Sequence, residues 1–245
     1  MHKLFLACTL AIFLITIILG GCETVVNSEN YKTSELAASF RGNFGYVKSK
    51  DCMYYTITAG LSVGSVDSRE KIKLVGYDTL FLEYGKDKRE MIEVEDATFG
   101  PIALYSRTMP CMESGKKLYV RLERKDDSDN SVNSYIVVPH NVELLEDIKD
   151  KEFSRKGSVE VHWKKNDGVD EIEWHVSGGC IINETGTSSE TPLFFSMKTE
   201  PYHEKETCTV ELSLRRTIKG RIDPRFKEGR FTGLIQEQFY FTSTP

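Results

Sequence analysis

Two stretches of this chain carry side chains whose types and spacing could do chemistry. In the first, Glu160 and His162 alternate with Val159, Val161 and Trp163. Glu173 and His175 alternate in the same way with Ile172, Trp174 and Val176. A hairpin turning at Asp167-Gly168, a favoured two-residue turn, sets Trp163 opposite Ile172, Val161 opposite Trp174 and Val159 opposite Val176. That register gathers all six apolar side chains on one face, which is what burial selects. It also sets Glu160 opposite His175 and His162 opposite Glu173. Two imidazoles and two carboxylates so placed could hold a divalent transition metal. They could equally be two ordinary cross-strand pairs, contributing about 0.2–1 kcal/mol each.

The second stretch runs from Arg215 to Arg230. Arg215, Arg216, Lys219, Arg221, Arg225, Lys227 and Arg230 stand there against only Asp223 and Glu228. Arginine suits bidentate contact with anions, so the run could meet lipopolysaccharide phosphates, lipid headgroups or an acidic protein. The plainer expectation is a solvated strand edge, where basic side chains discourage edge-to-edge pairing.

Other motifs carry less. Asp126-Asp127-Ser128-Asp129-Asn130 is acidic but lacks the glycine and distal glutamate of a calcium loop, and reads as a turn. Asn183-Glu184-Thr185 has the form of a glycosylation sequon. The chain has no H-E-x-x-H pair and no phosphate loop. His140 and His203 sit in loop-like contexts beside Pro139 and Tyr202. An enzyme would need a site assembled from distant residues.

The elements that position these groups read as strands. Met53–Thr58, Lys71–Val75, Thr79–Tyr84, Met91–Val94, Ile102–Tyr105, Leu118–Leu122 and Tyr135–Val138 are short β-branched or aromatic runs between turn signals. Further strands are expected at Leu193–Met197, Thr207–Leu214 and Phe231–Phe241. Asn141–Ile148 could be a short helix or a final strand. Thr185–Thr191 reads as a Ser/Thr-rich loop. From Glu146 to Gly157 the chain turns charged and poor in apolar residues, which suggests a module boundary. The expectation is an all-β chain of two antiparallel β-sandwich modules, residues 39–148 and 149–245.

The amino terminus is a different kind of segment. His2 and Lys3 precede an apolar run from Leu4 to Leu19, and Leu19-Gly20-Gly21-Cys22 ends it. A basic end, an apolar core and small residues at the exit make a secretory signal over residues 1–21. A retained helix would be somewhat short to span a bilayer, which needs about 20 residues. The last four positions resemble the lipobox of bacterial lipoproteins. That resemblance implies cleavage before Cys22 and acylation of Cys22, which would anchor the chain in a lipid bilayer. Residue 23 is Glu rather than Asp, which leans towards the outer membrane. Residues 22–38, polar and without periodicity, read as a tether.

Removing residues 1–21 leaves 31 basic against 37 acidic residues, a net charge of −6. This argues against a nucleic-acid partner, whose binder would show a basic surface. Of six cysteines, Cys8 leaves with the signal and Cys22 with the lipid. Cys52, Cys111, Cys180 and Cys208 then form an even set in an oxidising compartment, which favours two disulfides over a metal site. Three pairings are open. Cys52–Cys111 with Cys180–Cys208 keeps each bridge within one half of the chain. In strand count the modules look like immunoglobulin-type sandwiches, but no Trp lies between Cys52 and Cys111, and Trp174 precedes Cys180.

The function these observations imply is a non-catalytic binding or structural role at the cell-envelope surface, needing no cofactor. Its partner would be an envelope protein, a glycan or lipopolysaccharide. The alternatives are an inhibitor or immunity-type lipoprotein binding one protein, and an enzyme whose site is not recognisable.

Overall fold

The computed structural model describes residues 23–94, 103–124, 132–149, 151–165, 171–199 and 201–245. The chain is all-β, as expected. The first strands are β1 (Thr24–Asn27), β2 (Leu36–Val47), β3 (Cys52–Val63), β4 (Glu70–Lys73), β5 (Thr79–Tyr84), β6 (Asp87–Glu90), β7 (Ile92–Val94) and β8 (Leu104–Met112). Then come β9 (Lys117–Glu123), β10 (Val132–Val137), β11 (Glu152–Ser154), β12 (Ser158–Val161) and β13 (Ile172–Gly178). The last are β14 (Glu184–Ser188), β15 (Leu193–Ser196), β16 (Cys208–Lys219) and β17 (Glu228–Thr244).

One long sheet runs β1-β4-β3-β2-β17-β16-β13-β14, with β8 also paired to β3, β7 to β8 and β11 to β17. A four-stranded sheet β10-β9-β5-β6 and a two-stranded sheet β12-β15 complete the described strands. Alternation explains which side each strand buries. In β2, Phe40 and Phe44 face inward while Arg41 and Asn43 are exposed. In β3, Met53, Tyr55, Ile57, Ala59 and Leu61 are buried while Tyr54, Thr56 and Thr58 are exposed. Such period-two patterning belongs to sheets with one packed face.

The long strand β17 unites the two halves. Its first part, Glu228–Ile235, lies parallel to Ala37–Phe44 of β2. Its remainder continues against β16 and ends beside β11. Phe231 packs edge-on to Phe40, ring centroids 5.3 Å apart, and Phe226 does so at 6.3 Å. At the other end Phe241 meets Phe153 at 5.1 Å and Phe195 at 6.4 Å. Gly233 lies where an added Cβ would come within 2.8 Å of Ile136 Cδ1. The apolar core is accordingly continuous through both halves.

Several expectations change here. A boundary at residues 148 and 149 would separate residues 220–235 from the sandwich they complete. Arg221 bridges to Tyr135, and the Lys227 N–H donates to the Leu36 carbonyl at 2.8 Å. Residues 23–38, read as a tether, contain β1, two 3-10 turns and the start of β2, with Leu36, Ala37 and Ala38 fully buried. β1 runs parallel to β4, a pairing too short to leave a periodicity. Asn141–Ile148 is neither helix nor strand; it makes one isolated bridge, from Leu144 to Trp163. Part of the Ser/Thr-rich loop is strand β14, at the edge of the long sheet.

Asp223 fastens the carboxy-terminal half to β10. Its carboxylate accepts from the Asn133 N–H at 2.9 Å and from the Arg225 guanidinium at 2.8 Å. Its own N–H donates to Ser134 Oγ at 3.0 Å. The Arg225 hydrogen bond, foremost among these contacts, holds the Asp223 carboxyl down at about 2. Because the folded state depresses this value, the stability it contributes is present above the ordinary Asp range, near 4. It is lost as pH falls from there towards 2. Asp223→Asn should therefore lower the free energy of unfolding at pH 7 by about 2 kcal/mol, and hardly at all near pH 2. Equal losses at both pH values would contradict this account.

Candidate functional site

The four candidate metal ligands are not brought together. β12 pairs with β15, and β13 pairs with β14 and β16. The expected β12–β13 hairpin is therefore absent, and its Asp167-Gly168 turn lies outside the described residues. Val159, Val161 and Trp163, like Ile172 and Val176, are buried, so the alternation gives the correct faces. The two strands instead belong to facing sheets, and Trp174 of β13 meets Phe195 of β15 across the core, centroids 5.8 Å apart. Alternation identifies a buried face without identifying the neighbour. His162, one residue past β12, has its Nε2 3.0 Å from Oε1 of Glu160 on that strand. Glu173 lies 3.9 Å from Arg215, and His175 stands opposite Ser213 and Thr185. Among the described residues no group of three or more His, Cys, Asp or Glu side chains is placed to hold a metal.

The basic run spans the end of β16, the connection after it and the start of β17, and the fold divides it. Arg216 points inward, 8 % exposed, and donates to the His140 carbonyl at 3.1 Å; burial pushes its guanidinium pKa down. Arg225 is held by Asp223. Arg215, Lys219, Arg221, Lys227 and Arg230 remain exposed. Register adds a cation from the other end of the chain: Arg41 stands opposite Thr232, which stands opposite Lys219. Nothing in the linear sequence connects Arg41 to the basic run, because the β2–β17 pairing does so.

These residues occupy the outer face of the long sheet. Rows of short polar side chains cross it. One row is Lys219, Thr232, Arg41, Thr58 and Ser106; the next is Thr217, Leu234, Asn43, Thr56 and Thr108. Thr56 and Thr108 hydroxyls are 2.9 Å apart. Gln236, Gln238 and Tyr240 continue the face along β17, all exposed. Tyr240 donates to Glu211 at 3.2 Å. A shallow depression of about 390 Å³ lies between Arg41, Asn43, Thr217 and Thr232.

A larger cavity, about 1020 Å³, opens beside Arg124 and Asp78, but these two are committed to each other at 3.0 Å. The other displaced pKa values have structural causes. Burial pushes the Tyr55 hydroxyl up, and it donates to the Thr232 carbonyl at 3.3 Å. Burial likewise raises Glu237, against a weaker lowering by Lys48.

Both bridges form in the pairing that keeps each within one half. Cys52 and Cys111 have Cα atoms 4.9 Å apart, and Cys180 and Cys208 5.9 Å. Cys22 and the acidic Asp126–Asn130 segment lie outside the described residues.

No family model matches the chain, and no curated protein matches it. Among solved structures, a chain described as "Cytokine receptor complex - Crystal form 1A" aligns over 76 % of this chain and 89 % of its own. The identity is 12 % and the TM-score 0.29. At that distance nothing about a ligand or partner passes to this protein.

Proposed function

We propose that this chain is an exported, non-catalytic binding protein of the cell envelope, anchored in the bilayer through an acylated Cys22. The outer face of the long sheet is its contact surface. The observation that carries this reading is the contrast between the two faces. The inner face is closed by packed aromatic and aliphatic side chains. The outer face presents Arg41, Asn43, Thr56, Thr58, Thr217 and Gln236 to solvent. The two disulfides agree with an oxidising compartment. The displaced pKa values at Asp223 and Tyr55 arise from a hydrogen-bonded staple and from core burial. Neither describes a group poised to react.

A single protein partner, as for an inhibitor-type lipoprotein, is favoured by Tyr54 and Tyr240. Both stand on this outer face, 41 % and 47 % exposed, and tyrosine is a frequent anchor of protein interfaces.

The test is photo-crosslinking in intact envelopes from Thr217 and Gln236, compared with Glu90 on the four-stranded sheet, with mass spectrometry of the amino-terminal peptide. Adducts to one partner from the first two positions are expected, together with an acylated Cys22. Equal adducts from Glu90 would remove the face from the proposal. An unmodified Cys22 would remove the anchor.

A further inference from the structure

We propose that the end of this outer face around Arg41, Lys219 and Arg230 binds a sulfated polysaccharide, an inference that rests on reading the face as a binding surface. Arg41 and Lys219 flank Thr232 on neighbouring strands. With strands about 4.8 Å apart, their backbones stand about 10 Å apart, side chains on the same face. Arg230, opposite Ser39, lies on the central strand two residues further along. All three are exposed. Among the described residues none of the three is in an ion pair with a carboxylate.

Charge complementarity is local here. The chain as a whole is acidic, at −5, yet this end of the face concentrates cations. The nearest acidic group along β17, Glu228, accepts from the Val66 N–H at 3.3 Å. Guanidinium forks match the paired oxygens of a sulfate, and the lysine adds a point charge. The ground between the cations suits a sugar. Thr58, Thr217, Thr232 and Asn43 offer hydroxyl and amide groups beside the 390 Å³ depression. A lipid surface is a poorer fit. Membrane-binding surfaces set large apolar side chains among the cations, whereas Leu234, half-buried, is the sole apolar side chain in these two rows. The site is legible only after folding, because it joins residues from the two ends of the chain.

The experiment is binding of the whole chain to immobilised heparin across a salt series, beside neutral dextran and phosphatidylglycerol vesicles. Arg41→Glu/Lys219→Glu is compared with Lys86→Glu/Lys205→Glu, which changes net charge equally at exposed positions elsewhere. The wild type should bind heparin in preference to dextran and vesicles. The first double variant should bind about tenfold more weakly and the control within about twofold, with both unfolding midpoints unchanged. An absence of heparin binding, an equal loss in the control, or stronger binding to vesicles would overturn the proposal. Crosslinking from Gln236 measured in parallel separates the two readings. If the partner is still captured while heparin is not bound, only the polysaccharide site fails.

Discussion

Ending the chain at Lys227, which removes β17, should leave neither half folded. β17 supplies Phe231 and Ile235 to the first half of the core and Phe241 to the second. Burying a large apolar side chain contributes about 1.5–3 kcal/mol, and a whole domain is stable by only about 5–15 kcal/mol. Loss of these three, together with the strand pairings to β2 and β16, is comparable with that whole margin. The truncated chain should show no cooperative thermal transition and no dispersed amide spectrum. The same holds for a fragment of residues 23–149, which keeps every strand from β1 to β10 but lacks β17, one of the two neighbours of β2. A cooperative transition in that fragment would refute the claim that the halves share one structural member.

The second large effect is expected at Arg124. Its guanidinium fork donates to Asp78 at 3.0 and 3.1 Å, to the Tyr31 carbonyl at 2.8 Å and to the Ser28 carbonyl at 2.7 Å. The side chains of Arg124 and Asp78 are 10 % and 9 % exposed. This one residue fastens the segment between β1 and β2 to the end of the four-stranded sheet. Arg124→Ala strips its donors from a mostly buried carboxylate and from the Tyr31 carbonyl, while the Ser28 carbonyl keeps only the Tyr31 N–H, a change that costs about 3–5 kcal/mol. Arg124→Lys should recover less than half, because an ammonium cannot reproduce the planar fork. Urea unfolding of the three proteins checks this. An alanine variant within about 1 kcal/mol of wild type would show that the segment is held by other contacts.

How far the sequence led depends on which interaction sets each feature. Thr79–Tyr84 is recognised to the residue because a half-buried strand writes a period of two into its own side chains. The disulfide pairing follows from keeping each bridge within one half of the chain. The neighbour of a strand is not written this way. β12 and β13 display the alternation that suggested a hairpin, and that alternation is equally satisfied by two strands facing each other across a core. The candidate ligands Glu160, His162, Glu173 and His175 separate for this reason. The basic run could be seen as a run, but Arg216 and Lys219, three positions apart on one strand, take opposite faces. Arg41 joins the run only through a parallel pairing between strands at opposite ends of the chain, and such a contact leaves no local mark.

That parallel pairing also orders events in time. β2 is made well before β17, so until β17 emerges β2 has only β3 beside it and its other edge is open. Non-local contacts of this kind slow folding, and an edge waiting with unpaired backbone groups is prone to pair wrongly. A chain built in this way gains little by starting to fold while it is still being made.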